Sequence, residues 1–209
     1  MTESAVIFDV GNVLIRWDAR LLYRQLLPDE AAIDAFFAEI DFHAWNLDFD
    51  RGLPWDEGVA TLSARHPNRA ELIAAFHHRW HETVPGPVEG APELLAELAA
   101  AGVPLYAITN FSGAKWAETR LRFPFLASTF RDVVVSGDEG VTKPDPEIYR
   151  RCLARNGLAA DRAIFIDDSL PNVAAAAALG IDAVHFTTTA GLCAQLARRG
   201  LVRPPGGTS

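Results

Sequence analysis

Apolar runs of three to five residues recur along this chain, each ending in a polar pair or a turn residue. Ala5-Val6-Ile7-Phe8 is bounded by Asp9 and by Gly11-Asn12, and reads as a strand buried on both faces, as in parallel α/β sheets. The same pattern returns at Pro104–Ile108 before Thr109-Asn110, at Val133–Val135, at Ala163–Ile166 before Asp167-Asp168, and at Asp182–Phe186. Helical stretches lie between them. Pro92–Ala101 opens on Pro and stops at Gly102, residues 114–122 close at Pro124, and Pro146–Asn156 ends at Gly157. Ser169 and Pro171 open a further helix to Leu179 that Gly180 ends, and one more helix follows the last strand. The stretch Gly137–Pro144 reads as a loop. Strand and helix alternating over residues 88–186 imply right-handed crossovers and a parallel, Rossmann-like α/β sheet with helices on both faces.

A different pattern fills residues 17–84, where apolar positions recur at helical spacing. Leu21, Leu22, Gln25 and Leu26 begin it, and Pro28-Asp29 stops that turn and can cap a helix from Glu30 to Ile40. Asp41 to Asn46 interrupts the pattern and Asp50–Pro54 is a turn. Residues 55–65 read as helical up to Pro67, and Asn68 can cap a last helix to about Glu82 with Leu72, Ile73, Phe76 and Trp80 as its packing stripe. Pro85-Gly86-Pro87 then reads as a boundary. Because the first strand must join the sheet, the helical block is an insertion. The expected organisation is a core of residues 1–16 and 85–203, a helical cap over 17–84, and a disordered Pro/Gly tail at 204–209.

Charge narrows the function. A net charge of −8 with no block of Lys or Arg argues against nucleic acid as a partner. Residues 1–4 lack a basic start, and the apolar run after them is too short for a signal peptide or a membrane span. Cys152 and Cys193 have no metal-binding or disulfide spacing, so both are expected to be ordinary reduced thiols of a cytoplasmic protein without a membrane partner.

In such sheets ligands bind beyond the carboxyl ends of the strands. Chemically capable residues fall at that edge four times: Asp9, Thr109-Asn110, Lys143 and Asp167-Asp168. Three carboxylates at one edge repel unless a cation lies between them, and Lys143 supplies a single positive charge. Oxygen donors with little nitrogen or sulfur select Mg²⁺, which favours a phosphate among its remaining ligands. A carboxylate nucleophile, Mg²⁺, a hydroxyl and a lysine together make a site for phosphoryl transfer through an aspartyl-phosphate.

Phe8-Asp9-Val10-Gly11-Asn12-Val13-Leu14, Ile108-Thr109-Asn110, Lys143-Pro144-Asp145-Pro146 and Phe165-Ile166-Asp167-Asp168-Ser169 resemble, in order, the four motifs of the haloacid dehalogenase-like hydrolases. The resemblance implies Asp9 as nucleophile and Thr109 and Lys143 as phosphate binders. It implies Mg²⁺ held by the Asp9 side chain, the Gly11 carbonyl and Asp168, with Asp167 a ligand or a support behind one. Asn172 matches a supporting position that is often acidic in the family, and the helical insertion matches its mobile cap. Asn110, with His43 and Trp45 of the interrupted cap segment, are the candidate substrate contacts.

One position departs from the family. Most of its phosphatases carry a second Asp two residues after the nucleophile, acting as general acid and then base; here that residue is Gly11. General acid–base help is typically worth about 10²–10⁴-fold. A subgroup resembling bacterial glucose-1-phosphate phosphatase shares the Asp-x-Gly-Asn form, which implies a sugar phosphate or similar small phosphomonoester as substrate. Two alternatives remain: a dehalogenase-type hydrolase in which Asp9 attacks carbon, and a phosphate-binding relative with impaired turnover. Phospho-accepting receiver domains use similar residues, but place the acidic pair on the first strand and lack a cap of this size.

Overall fold

The computed structural model describes residues 4–203. Five strands, β1 Ala5–Phe8, β2 Leu105–Thr109, β3 Asp132–Val135, β4 Ala163–Asp167 and β5 Asp182–His185, form one sheet in the order β3-β2-β1-β4-β5. Every pairing is parallel, and Ile7 at the centre lies between Tyr106 and Phe165. The chain builds outward from β1 to β3, then crosses back to place β4 on the other side. The carboxyl end of β1 is therefore the switch point of the sheet, where a cleft opens without any strand having to end early.

Twelve helices surround it among the described residues. Before β2 come α1 Arg20–Tyr23, α2 Glu30–Ile40, α3 Phe42–Asp50, α4 Trp55–Arg65, α5 Ala70–His78 and α6 Ala91–Ala100. After β2 come α7 Gly113–Arg122, α8 Pro124–Ser128, α9 Ser136–Glu139, α10 Pro146–Asn156, α11 Leu170–Ala177 and α12 Thr189–Arg198. Local chemistry sets several ends. The Asp29 carboxylate accepts from the Ala32 amide at the start of α2, and Asp145 accepts from Glu147 at the start of α10. Gly157 closes α10 at a φ of +62°.

Three details differ from the sequence expectation. Asp41–Asn46 is not irregular: Asp41 alone turns, at a φ of +50°, and α3 begins at the next residue. An Asp tolerates that left-handed conformation, so one polar residue redirects the chain where a longer break is expected. Asn68 caps nothing; it lies in a 3₁₀ turn at Pro67–Arg69, and a second such turn at Trp80–Thr83 replaces the end of the expected helix. The stretch from Gly137 opens within the short helix α9. Residues 204–209, expected to form a tail, lie outside the described residues.

Alternation along each strand divides the core. Ile7, Tyr106, Ile108 and Phe165 face α10 and α11 with Ile148, Tyr149 and Ala176, while Val6, Phe8, Ala107 and Ile166 face the other way, toward Leu94, Leu98 and Leu192. That second layer runs on into the helical block, whose interior is aromatic. Tyr23, Phe42, Trp45 and Trp55 all pack around Phe76. The block leaves and rejoins the sheet through two adjacent segments, tied by Arg16 N to Gly86 O and Val88 N to Leu14 O, each at 2.9 Å.

Two polar contacts seat it over the sheet edge. The Ser136 hydroxyl donates to the Asp50 carbonyl at 2.5 Å, and the Trp55 indole donates to Ser112 Oγ at 2.7 Å. Between them Gly52 has a φ of +100°, and a Cβ there would lie 2.6 Å from the Gly137 carbonyl oxygen. Backbone cannot swing aside as a flexible side chain does. Gly52→Ala is expected to destabilise by about 1–3 kcal/mol, read as a lower urea midpoint at unchanged m. No described helix is long and apolar enough to cross a membrane.

Candidate active site

Asp9 follows β1 directly, so its position is set by the most buried strand of the molecule. It is 8% exposed, and its Oδ1 accepts from the Val10 amide at 2.6 Å. The Gly11-Asn12 turn then carries the backbone away, with Asn12 at a φ of +56° and its side chain accepting from the Trp17 amide. Lys143, from the loop before α10, reaches back under the sheet edge. Its Nζ lies 2.8 Å from Asp9 Oδ1 and 2.7 Å from Asp167 Oδ2. The ammonium also sits 5.6 Å from the Phe165 ring centroid.

Asp167 ends β4 and is fully buried. Its oxygens accept from Lys143, from the Ser169 amide and from the Asn172 side chain. Asp167 is thereby the anchor of the site, holding Lys143 and the start of α11. Asp168 is exposed. Carboxylate oxygens of Asp9, Asp167 and Asp168 all lie within 4.8 Å of one another.

The charges are out of balance. Burial, and then the neighbouring Asp167 and Asp168, push the Asp9 carboxyl up to about 7 against the pull of Lys143. Burial and Asp167 likewise raise Asp168. For Lys143, burial works against the charged form, but Asp9 and Asp167 outweigh it and hold the ammonium above its usual range. Three carboxylates share one lysine, and an all-oxygen donor set of this spacing fits a hard divalent cation. Asp9, Asp167 and Asp168 are the carboxylates close enough together to hold one, Asp167 with both oxygens already hydrogen-bonded.

Thr109 ends β2, buried, with no hydrogen-bond partner for its hydroxyl among the described residues. Asn110 beside it clasps the Lys143 backbone, accepting from its amide at 2.8 Å and donating to its carbonyl at 3.0 Å. That clasp makes Asn110 a positioning group for Lys143 as well as part of the cavity wall.

A cavity of roughly 200 Å³ lies over these groups, with Asp9, Gly11, Asn110, Lys143 and Asp168 in its floor. Its roof comes from the helical block: Trp17, Asn46, Asp50, Trp55 and Trp80. Neither His43 nor Trp45 lines it. His43 is exposed beside the Phe37 and Phe42 rings, and Trp45 is buried in the aromatic interior with its indole donating to the Gly58 carbonyl. Both residues turn inward or away because α3 is a continuous helix; Asn46 and Asp50, spaced i and i+4, are the residues that its cavity-facing side presents. Reading 41–46 as irregular conceals that pair.

A family model described as haloacid dehalogenase-like hydrolase matches residues 3–180. Sesquiterpene phosphatase astK of Aspergillus oryzae is 30% identical over 196 residues, covering 93% of this chain and 95% of that protein. Phosphoglycolate phosphatase of Pectobacterium atrosepticum is 28% identical over 143 residues, covering 66% of this chain and 58% of the relative. The HAD family enzyme bt-2542 of Bacteroides thetaiotaomicron, solved in complex with magnesium and inorganic phosphate, superposes with a TM-score of 0.71 at 19% identity, over 90% of this chain and 96% of that one.

Proposed function

Because the chain belongs to the haloacid dehalogenase-like hydrolases, we propose that it is a Mg²⁺-dependent phosphatase of small phosphomonoesters, acting through an aspartyl-phosphate on Asp9. One observation carries the reading: a buried carboxylate held 2.8 Å from a buried lysine, with two more carboxylates beside it, at the floor of a cavity roofed by the helical block. Asp9, Asp168 and the Gly11 carbonyl would hold Mg²⁺. When bound, the ion offsets the clustered negative charge and polarises the phosphoryl group toward attack.

The chain's own groups do the rest. Asp9, fixed by the Val10 amide, presents one oxygen in line with the ester bond. Lys143 neutralises a phosphoryl oxygen, and the Thr109 hydroxyl gains the acceptor it lacks; a buried hydroxyl left unpaired costs about 1–3 kcal/mol. Asp167 keeps Lys143 in place. The helical block, residues 17–84, acts as a cap that excludes water and selects the ester's alcohol. Three tryptophans and Phe111 in the cavity wall suit a leaving group with an apolar face, such as the CH face of a sugar or a short hydrocarbon. The likeness to a sesquiterpene phosphatase and to a phosphoglycolate phosphatase supports a small phosphate ester as substrate. We place the protein in the cytoplasm, where Cys152 and Cys193, both free, stay reduced.

The test is a panel of metabolite phosphates assayed with Mg²⁺, with EDTA, and with Asp9→Asn as blank. Phosphate release that EDTA abolishes and Mg²⁺ restores is expected. Hydrolysis of 2-haloacids unaffected by EDTA, without phosphate release, would move the assignment to attack on carbon.

A further inference from the structure

Where the proposed phosphatase lacks its proton donor, the fold supplies another carboxyl. Gly11 leaves open space: a Cβ built there meets nothing within 4 Å. Facing the same cavity from the roof is Asp50, the last residue of α3. Its backbone is fixed to the core by the Ser136 hydroxyl, and its Oδ2 accepts from Asn46 Nδ2 at 3.2 Å, one helical turn earlier. No other side chain bonds its carboxyl among the described residues. The other carboxylates at the cavity floor are held by Lys143 or belong to the cation cluster. From these placements we infer that Asp50 is the general acid and base of this enzyme, delivered by the cap in place of the side chain missing at position 11.

Burial pushes the Asp50 carboxyl up to about 7, with Lys143 pulling the other way, so a protonated fraction is present at neutral pH. In the first step Asp9 attacks phosphorus, the P–O bond to the alcohol breaks, and the Asp50 proton goes to the departing oxygen. In the second, the Asp50 carboxylate takes a proton from water as its oxygen attacks the phosphorus of the aspartyl-phosphate. Inorganic phosphate leaves, Asp9 is ionised again, and Asp50 is again protonated. Because the group comes from the cap, acid–base chemistry and closure over substrate become one event.

This inference rests on the phosphatase reading, and the experiment separates the two. Wild-type enzyme and Asp50→Asn are compared with Mg²⁺ on an alkyl phosphate and on p-nitrophenyl phosphate, whose leaving group needs no proton. For Asp50→Asn, kcat/KM on the alkyl ester is expected to fall by about 10²–10⁴-fold, and on the aryl ester by less than about tenfold. The aryl ester should also give a burst of nitrophenol with phosphoenzyme accumulating, because the second step has lost its base. Gly11→Asp added to Asp50→Asn should recover alkyl hydrolysis, which also shows that the fold is intact. An equal fall on both esters without a burst, or a rise confined to KM, gives Asp50 a binding or structural role and overturns the inference alone. If the wild-type enzyme hydrolyses neither ester, the phosphatase reading falls with it.

Discussion

Asp9→Asn is expected to remove essentially all turnover, with kcat lower by on the order of 10⁴–10⁶-fold, while the fold is unchanged. The amide has the shape of the carboxylate but cannot attack phosphorus. The structure separates loss of chemistry from loss of fold at this position. Lys143 keeps its 2.7 Å partner Asp167, so no buried cation is orphaned. Burial already works against an ionised Asp9, as do the charges of Asp167 and Asp168, and together they outweigh the pull of Lys143. Removing that charge relieves a cost, and the urea midpoint of metal-free Asp9→Asn should equal or exceed that of the wild type. A large drop in midpoint would mean that Asp9 serves the fold first. Residual activity within about tenfold of wild type would assign the nucleophile elsewhere.

Lys143→Met is expected to damage both function and stability. The lysine side chain is 1% exposed and lies within 2.8 Å of two carboxylates that are themselves buried. Methionine fills much the same volume, so packing is nearly kept while the one compensating charge is lost. Breaking a buried pair by removing one partner typically costs about 3–5 kcal/mol, because the other charge is left without compensation. In metal-free protein the unfolding free energy should fall by that amount, read as a lower urea midpoint at unchanged m. Saturating Mg²⁺ should return part of it, since an ion that binds only the folded state stabilises that state by mass action. A loss of unfolding free energy below about 1 kcal/mol would show the pair to be solvated and weak. Turnover should fall as well, with one phosphoryl oxygen losing its counter-charge.

Much of this was legible from residue order. Asp29 before Glu30, and Asp145 with Gly157 around Pro146–Asn156, are local signals, and the helices end where those residues put them. Asp9, Thr109 and Asp167-Asp168 at strand tips, and Lys143 in the loop before α10, could be brought to one edge because parallel α/β topology leaves the chain little choice. The roof was not legible in the same way. Which face of a cap helix meets the core depends on how the whole block docks, and no short-range signal encodes that. Asp41 shows the local side of the problem: a single left-handed residue hides α3, and with it the Asn46–Asp50 pair. Trp45 shows the other side, since an aromatic residue in a supposed loop reads as a substrate contact and instead packs against Phe76. Trp55 and Trp80, widely separated in sequence, enter the cavity only through tertiary packing.

The account turns on phosphorus being passed to one carboxylate. Rapid acid quench of the enzyme during turnover of a phosphate ester with Mg²⁺, followed by peptide mapping, reads that transfer directly. The expected result is one phosphoryl group on the peptide carrying Asp9, absent in Asp9→Asn and discharged as inorganic phosphate when the wild-type enzyme is chased. Phosphate on any other residue, or undiminished turnover in Asp9→Asn, would contradict it.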